Sequence, residues 1–212
     1  MKYSIHKRGE IAMKNILKIM LMMITIYTIT GSAVYAAEIP VSDQDQLITS
    51  RDWTEISNLQ DEMKKEEPDA TIDYDKALKV YVDCNLIKLQ TADTKKLTSA
   101  LESANYVWVI PFKMEKTYGM FTVAKGLPLS EEAKSVLTKA EQEEVKNHAG
   151  KWMITETAEH TVEPYYDILL EKREALSDCT RVVLVGSQPG MRQPVALGMD
   201  DELSLIHISE PT

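Results

Sequence analysis

The sequence predicts an α+β fold: a single domain with a mainly antiparallel sheet, helices packed on it, and a signal-peptide helix in front. Two observations carry this. Residues 106–112 and 118–124 read as strands joined by a short polar turn, Lys113-Met114-Glu115-Lys116, so neighbouring strands pair as hairpins. Between the strands, apolar residues return at helical spacing in separate segments. The resulting order, α, β, α, β, β, α, β, α, β, β, mixes adjacent strands with helices and suits an antiparallel sheet covered by helices.

Each element has its own signal. Trp53, Ile56, Leu59 and Met63 recur at helical spacing in a charged run ending before Pro68, which predicts a helix over 51–66. Lys79 to Asp83 and Leu86 to Leu89 read as one bent strand or two short ones. Asp93 or Thr94 caps a helix whose stripe is Leu97, Ala100, Leu101 and Ala104. Tyr106, Trp108, Ile110 and Phe112 then alternate with Val107 and Val109, so both faces are apolar and the strand is central. Pro111 lacks a donor, so pairing should lapse on one side there. Tyr118 to Ala124 returns as the second hairpin strand, closed by Gly126.

Ser130 precedes Glu131 and Glu132, an N-cap with acids where the helix dipole favours them. Ala133, Val136, Leu137, Ala140 and Val145 form the expected buried face of that helix, and Gly150 stops it. Lys151 to Glu156 is a strand holding Trp152 and Ile154. Pro164 opens a helix to about Leu176, with Tyr165, Leu169 and Leu176 inward. Arg181 to Val185 is an apolar strand, Gly186 to Gly190 a turn, and Pro194 to Met199 its return.

The two ends are read apart from the fold. Lys2, Lys7, Arg8, Lys14 and Lys18 make a basic start before an apolar run from Ile19 to Ile29. That run is shorter than the roughly 20 residues a bilayer span needs. Val34 and Ala36 suit signal peptidase, so cleavage is expected between Ala36 and Ala37, with initiation at Met1 or Met13. The alternative is an uncleaved anchor. Residues 37–50 lack periodicity and read as a flexible tether, leaving 51–202 as the extracytoplasmic domain. At the other end, LSLIHISEPT (Leu203 to Thr212) looks like the in-frame translation of a transposase adapter from short-read library preparation. The expectation is a natural protein truncated near Glu202; the alternative is a genuine strand over Leu203 to Ile208.

Charge and composition narrow the function class. The 212 residues carry 24 basic and 33 acidic side chains, a net charge of −9, and 44 % apolar content, ordinary for a globular chain. Without residues 1–36 and 203–212, five basic and two acidic residues go, and the net charge becomes −12. Such a balance opposes contact with nucleic acid or anionic lipid, which needs clustered Lys and Arg. The membrane is then reached only through the leader or through an anchor beyond residue 202. A secreted or extracytoplasmic location follows.

No residue pattern points to chemistry. Cys84 and Cys179 could close a long loop as a disulfide, worth about 4 kcal/mol on the chain-entropy model, if their Cα atoms come within about 7 Å. Otherwise they are two small core residues. A nucleophilic cysteine needs a base and an orienter, and the nearby candidates, His148 and His160, stand at opposite ends of a predicted strand. Those histidines lack metal-ligand spacing. Asp43-Gln44-Asp45 and Asp73-Tyr74-Asp75 begin like calcium loops but lack Gly at loop position six and Glu at twelve. Gly186-Ser187-Gln188-Pro189-Gly190 lacks the Lys-Ser/Thr of a phosphate loop and reads as a type II turn. No catalytic residues, metal or cofactor are therefore expected.

Tyr106, Trp108 and Phe112 lie on one strand face, and Trp152 can join them from another strand. Such a row either cradles a small ligand or peptide, with Arg192 presented by the 186–192 turn, or forms the layer beneath the helices. The hairpin YVWVIPF then TYGMFTVAKG loosely resembles PepSY-like domains and Cache- or PAS-like sensor domains of Gram-positive bacteria. The resemblance covers about twenty residues without an invariant motif and transfers no site residue. The expected function is an exported, non-catalytic module that binds or senses a small molecule, peptide or protein. Alternatives are an envelope interaction or inhibitor protein acting through a sheet edge near Pro111 or the 186–192 turn, and an accessory region of a secreted enzyme.

Overall fold

A computed structural model describes residues 41–42, 45–84, 94–160, 164–172, 174, 176, 179–186, 194–199 and 204–206. All belong to the part of the chain that follows Glu38. The elements are α1 (Trp53–Ile56), a 3-10 turn (Ser57–Leu59), α2 (Gln60–Glu66), β1 (Thr71–Ile72), β2 (Leu78–Tyr81), α3 (Thr94–Ser103), β3 (Tyr106–Lys113) and β4 (Tyr118–Lys125). They continue with α4 (Glu131–Val136), α5 (Lys139–His148), β5 (Trp152–His160), α6 (Tyr165–Glu171), β6 (Arg181–Val185), β7 (Val195–Met199) and β8 (Ser204–Ile206). The mixture of helices with an open sheet is the α+β class.

The strands lie in the order β5-β4-β3-β2-β6-β7-β8, and β1 also pairs with β3. Pairing is antiparallel except between β2 and β6, which run parallel. That parallel pair needs a long crossover, because a tight hairpin can only reverse direction. β3 is central, as its two apolar faces require. Its partnership with β2 ends at Val109, and β1 takes over at Phe112. The gap falls at Ile110 and Pro111, while Pro111 stays in register with Met120 on the β4 side. The edge near Pro111 on which an interaction protein was expected to act is therefore absent, since β3 is flanked on both sides.

Side-chain alternation sends odd and even positions to opposite faces. On one face Trp108, Ile110, Phe112, Phe121 and Val123 pack against Ile56 and Met63 of the first helices. Further along the same face, Tyr81, Val183 and Val185 pack against Leu97 and Leu101 of α3. The opposite face puts Leu78, Val80, Val182 and Leu184 against Leu169 of α6.

Some expectations change. Residues 45–50 are no tether: Leu47 is fully buried, Asp45 nearly so, and Gln46 bridges to Leu78. The expected helix over 131–149 is two helices. Leu137 is extended, and Thr138 begins α5 with a capping box to Glu141. No residue of its expected apolar face is fully buried: Ala133, Leu137 and Val145 are half-buried, and Val136 is 80 % exposed. α5 does end where Gly150 adopts φ +75°, a conformation glycine enters without steric cost. β5 runs on to His160, beyond the expected end at Glu156. Ser204–Ile206, inside the segment read as adapter, pair with β7.

Cys84 and Cys179 are both buried but are not bridged to each other. Cys84 packs with Tyr81, Val183 and Val185, whereas Cys179 packs with Val80, Val182 and Leu184. The sheet lies between them, which removes the expected disulfide. The expected strand 86–89, the cap Asp93, the turn 187–190, Arg192, and the cleavage site Ala36–Ala37 lie outside the described residues.

Candidate functional site

Charged groups are seldom buried unless paired. Here Lys79 is 9 % exposed and Asp45 2 %. Strand alternation explains the position of Lys79: it shares a face with Tyr81, and its cross-strand partner on β3 is Trp108. The ammonium Nζ consequently stands 4.5 Å from the Tyr106 ring centroid and 5.1 Å from that of Trp108. Attraction between a cation and an aromatic face favours this placement.

Asp45 supplies the counter-charge from the segment before α1. Its Oδ1 lies 3.8 Å from Lys79 Nζ. The Tyr81 hydroxyl donates to Oδ1 at 2.8 Å, and Arg181 Nε donates to Oδ2 at 2.8 Å. Arg181 Nη2 is 2.7 Å from Oδ2 and also donates to the Tyr81 hydroxyl at 3.2 Å. Ser42 donates to Oδ2 at 2.6 Å. One carboxylate thus holds two cations and two hydroxyls from the N-terminal segment, β2 and β6.

A second carboxylate anchors the aromatic row. Asp52, just before α1, accepts from the Tyr106 hydroxyl and from Trp108 Nε1, each at 2.9 Å. Asp52 makes no side-chain cap to its own helix, because its oxygen is used by the sheet. Burial, with Asp45 beside Tyr81 and Asp52 beside Tyr106, pushes both phenol hydroxyls well above their ordinary value. Desolvation also pulls the Lys79 ammonium down, opposed by the charges of Asp45 and Asp52.

Above these groups opens a cleft of about 480 Å³, lined among others by Arg51, Asp52, Lys79, Tyr81, Glu102 and Arg181. Arg51, Lys79 and Arg181 face two carboxylates there, Asp52 and Glu102. Asp45 beneath them adds a third carboxylate, so within a chain of net charge −9 the site is balanced, three cations to three carboxylates. Beyond Tyr106 lies a second cavity of about 550 Å³, bordered by Val82, Val107, Leu127, Pro128 and Trp152. Tyr106 and Ala104 belong to both walls.

The aromatic residues expected as a ligand face divide into two roles. Trp108 and Phe112 are 0 % and 1 % exposed and lie in the core beneath the first helices. Tyr106 and Trp152, whose rings are 5.9 Å apart, border cavities. Sequence reasoning missed Asp45, Asp52, Lys79, Tyr81 and Arg181. One local signal existed: Lys79 shares strand parity with Tyr81 in an otherwise apolar segment. Its partners stand 34 residues before and 102 after in the chain, so no local pattern joins them. Among the described residues, no group of three or more His, Cys, Asp or Glu is placed to hold a metal, and no helix is long and apolar enough to cross a membrane. No family model, curated protein or solved structure matches this chain.

Proposed function

We propose that this protein is an exported binding or sensing module, a single α+β domain behind a cleaved signal peptide, whose ligand is a small molecule bearing an anionic group. The observation that carries the reading is the cleft over Lys79 and Arg181. Its volume falls in the range of small-molecule sites, roughly 300–1,000 Å³. Its charges are fixed before any ligand arrives, because Asp45 and Asp52 hold the surrounding groups in place; such preorganisation lowers the entropy lost on binding.

Binding fits the site better than catalysis. The oxygens of Asp45 and Asp52 already accept from Ser42, Tyr81, Arg181, Tyr106 and Trp108. The raised hydroxyls of Tyr81 and Tyr106 are poor proton donors near neutral pH. These are properties of a scaffold for fixed charge.

The test is calorimetric titration with N-acetylglycine, an anion, against its amide, N-acetylglycinamide, as a neutral match. The anion should bind and the amide should not. Arg51→Gln, at an exposed position on the cleft wall, should weaken the anion about tenfold, near the lower end of what a hydrogen bond to a charged group contributes. Equal binding of both compounds, or an indifferent Arg51→Gln variant, would overturn the reading. Export is checked by the intact mass of the secreted chain, expected to begin at Ala37.

A further inference from the structure

Resting on that reading, we infer that the ligand is an amphiphile: its anionic head occupies the cleft over Lys79 and Arg181, and its acyl chain passes Tyr106 into the neighbouring cavity. Two observations lead there. The two spaces adjoin, with Tyr106 and Ala104 in the walls of both. Their chemistry is opposite. The first is lined by charges, whereas the second is bordered by Val82, Val107, Leu127, Pro128 and Trp152, with Lys125 among its few charged neighbours.

Trp152 closes the apolar space: it is 7 % exposed, and its ring lies 5.9 Å from that of Tyr106. The ligand class is therefore an acyl chain carrying a small anionic head.

The exposed residue Leu127, on the cavity wall, offers a variant that leaves the core untouched. Titrations with N-acetylglycine, N-octanoylglycine and N-dodecanoylglycine, each below its micellar concentration, hold head and carbonyl constant while the chain grows. Affinity should rise up to about fourfold per methylene that becomes buried, the ratio that burying one CH₂ gives, until the cavity is full. Leu127→Ser should reduce the gain for the two longer chains and leave N-acetylglycine unchanged. A flat series with intact N-acetylglycine binding overturns the amphiphile and leaves the anion cleft standing. Long chains that bind equally well in wild type and Arg51→Gln overturn the shared site, because the head is then elsewhere. No binding by any of the three overturns both readings.

Discussion

Replacing Asp45 by Asn tests whether one buried carboxylate organises the site. The substitution keeps the shape of the side chain and removes its charge. Lys79, at 9 % exposure, and Arg181, whose side chain is 16 % exposed, then face each other across a neutral amide. Breaking a buried ion pair by removing one partner costs about 3–5 kcal/mol, mostly from the charge left without compensation. Arg181 borders the open cleft and can turn towards water, which places the expectation near the lower end, about 3 kcal/mol. Against a total stability of about 5–15 kcal/mol this is a large fraction. In urea the midpoint should fall by about 1–3 M at unchanged slope, given slopes of about 1–3 kcal/mol/M. The same substitution in a Lys79→Met background should cost at least about 1 kcal/mol less, since one stranded cation is gone. A loss below about 1 kcal/mol, or effects that add to within about 0.5 kcal/mol, would refute the claim that Asp45 couples these groups.

Two further outcomes follow from the same packing. Gly119 faces Phe112 across the hairpin, and a Cβ placed there meets Phe112 Cζ at 2.1 Å. Phe112 is 1 % exposed and lies 4.8 Å from the Phe121 ring, so it has little room to retreat. Gly119→Ala should lower stability by about 1–3 kcal/mol in urea unfolding, and a neutral result would mean the ring moves freely. Alkaline pH should destabilise the protein through Tyr81 and Tyr106, whose folded-state values are raised above 10 chiefly by burial. The native state holds those protons more tightly, so their contribution is fully present below about pH 10 and is lost as pH rises through the raised values. Tyrosinate absorbance should show these two residues ionising last, and Tyr81→Phe should flatten the alkaline limb of stability. Complete ionisation of all tyrosines near pH 10 in folded protein would contradict this.

Much of the architecture is local in origin. The alternation Tyr106-Trp108-Ile110-Phe112 marks a central strand because side-chain direction on a strand has a period of two, whatever surrounds it. Ile56 and Met63 are fully buried because helical spacing brings them to one face. The break at Leu137 had a local signal too: Thr138-Lys139-Ala140-Glu141 is a capping box, but a hydrophobic stripe running across it hid that signal.

What the amino-acid sequence determined by itself is therefore most of the strands and helices and the apolar faces of the central hairpin, but not β1, the break at Leu137 or the run of β5 to His160. What tertiary structure alone decided is the company kept across that set. Asp45 reads as part of an aperiodic segment until β6 brings Arg181 to it from 136 residues away. Cys84 and Cys179 look like a possible pair until the sheet is placed between them. The physical reason is range: propensity, capping and periodicity act over a few residues, whereas burying a charge requires a partner that the fold supplies from anywhere in the chain.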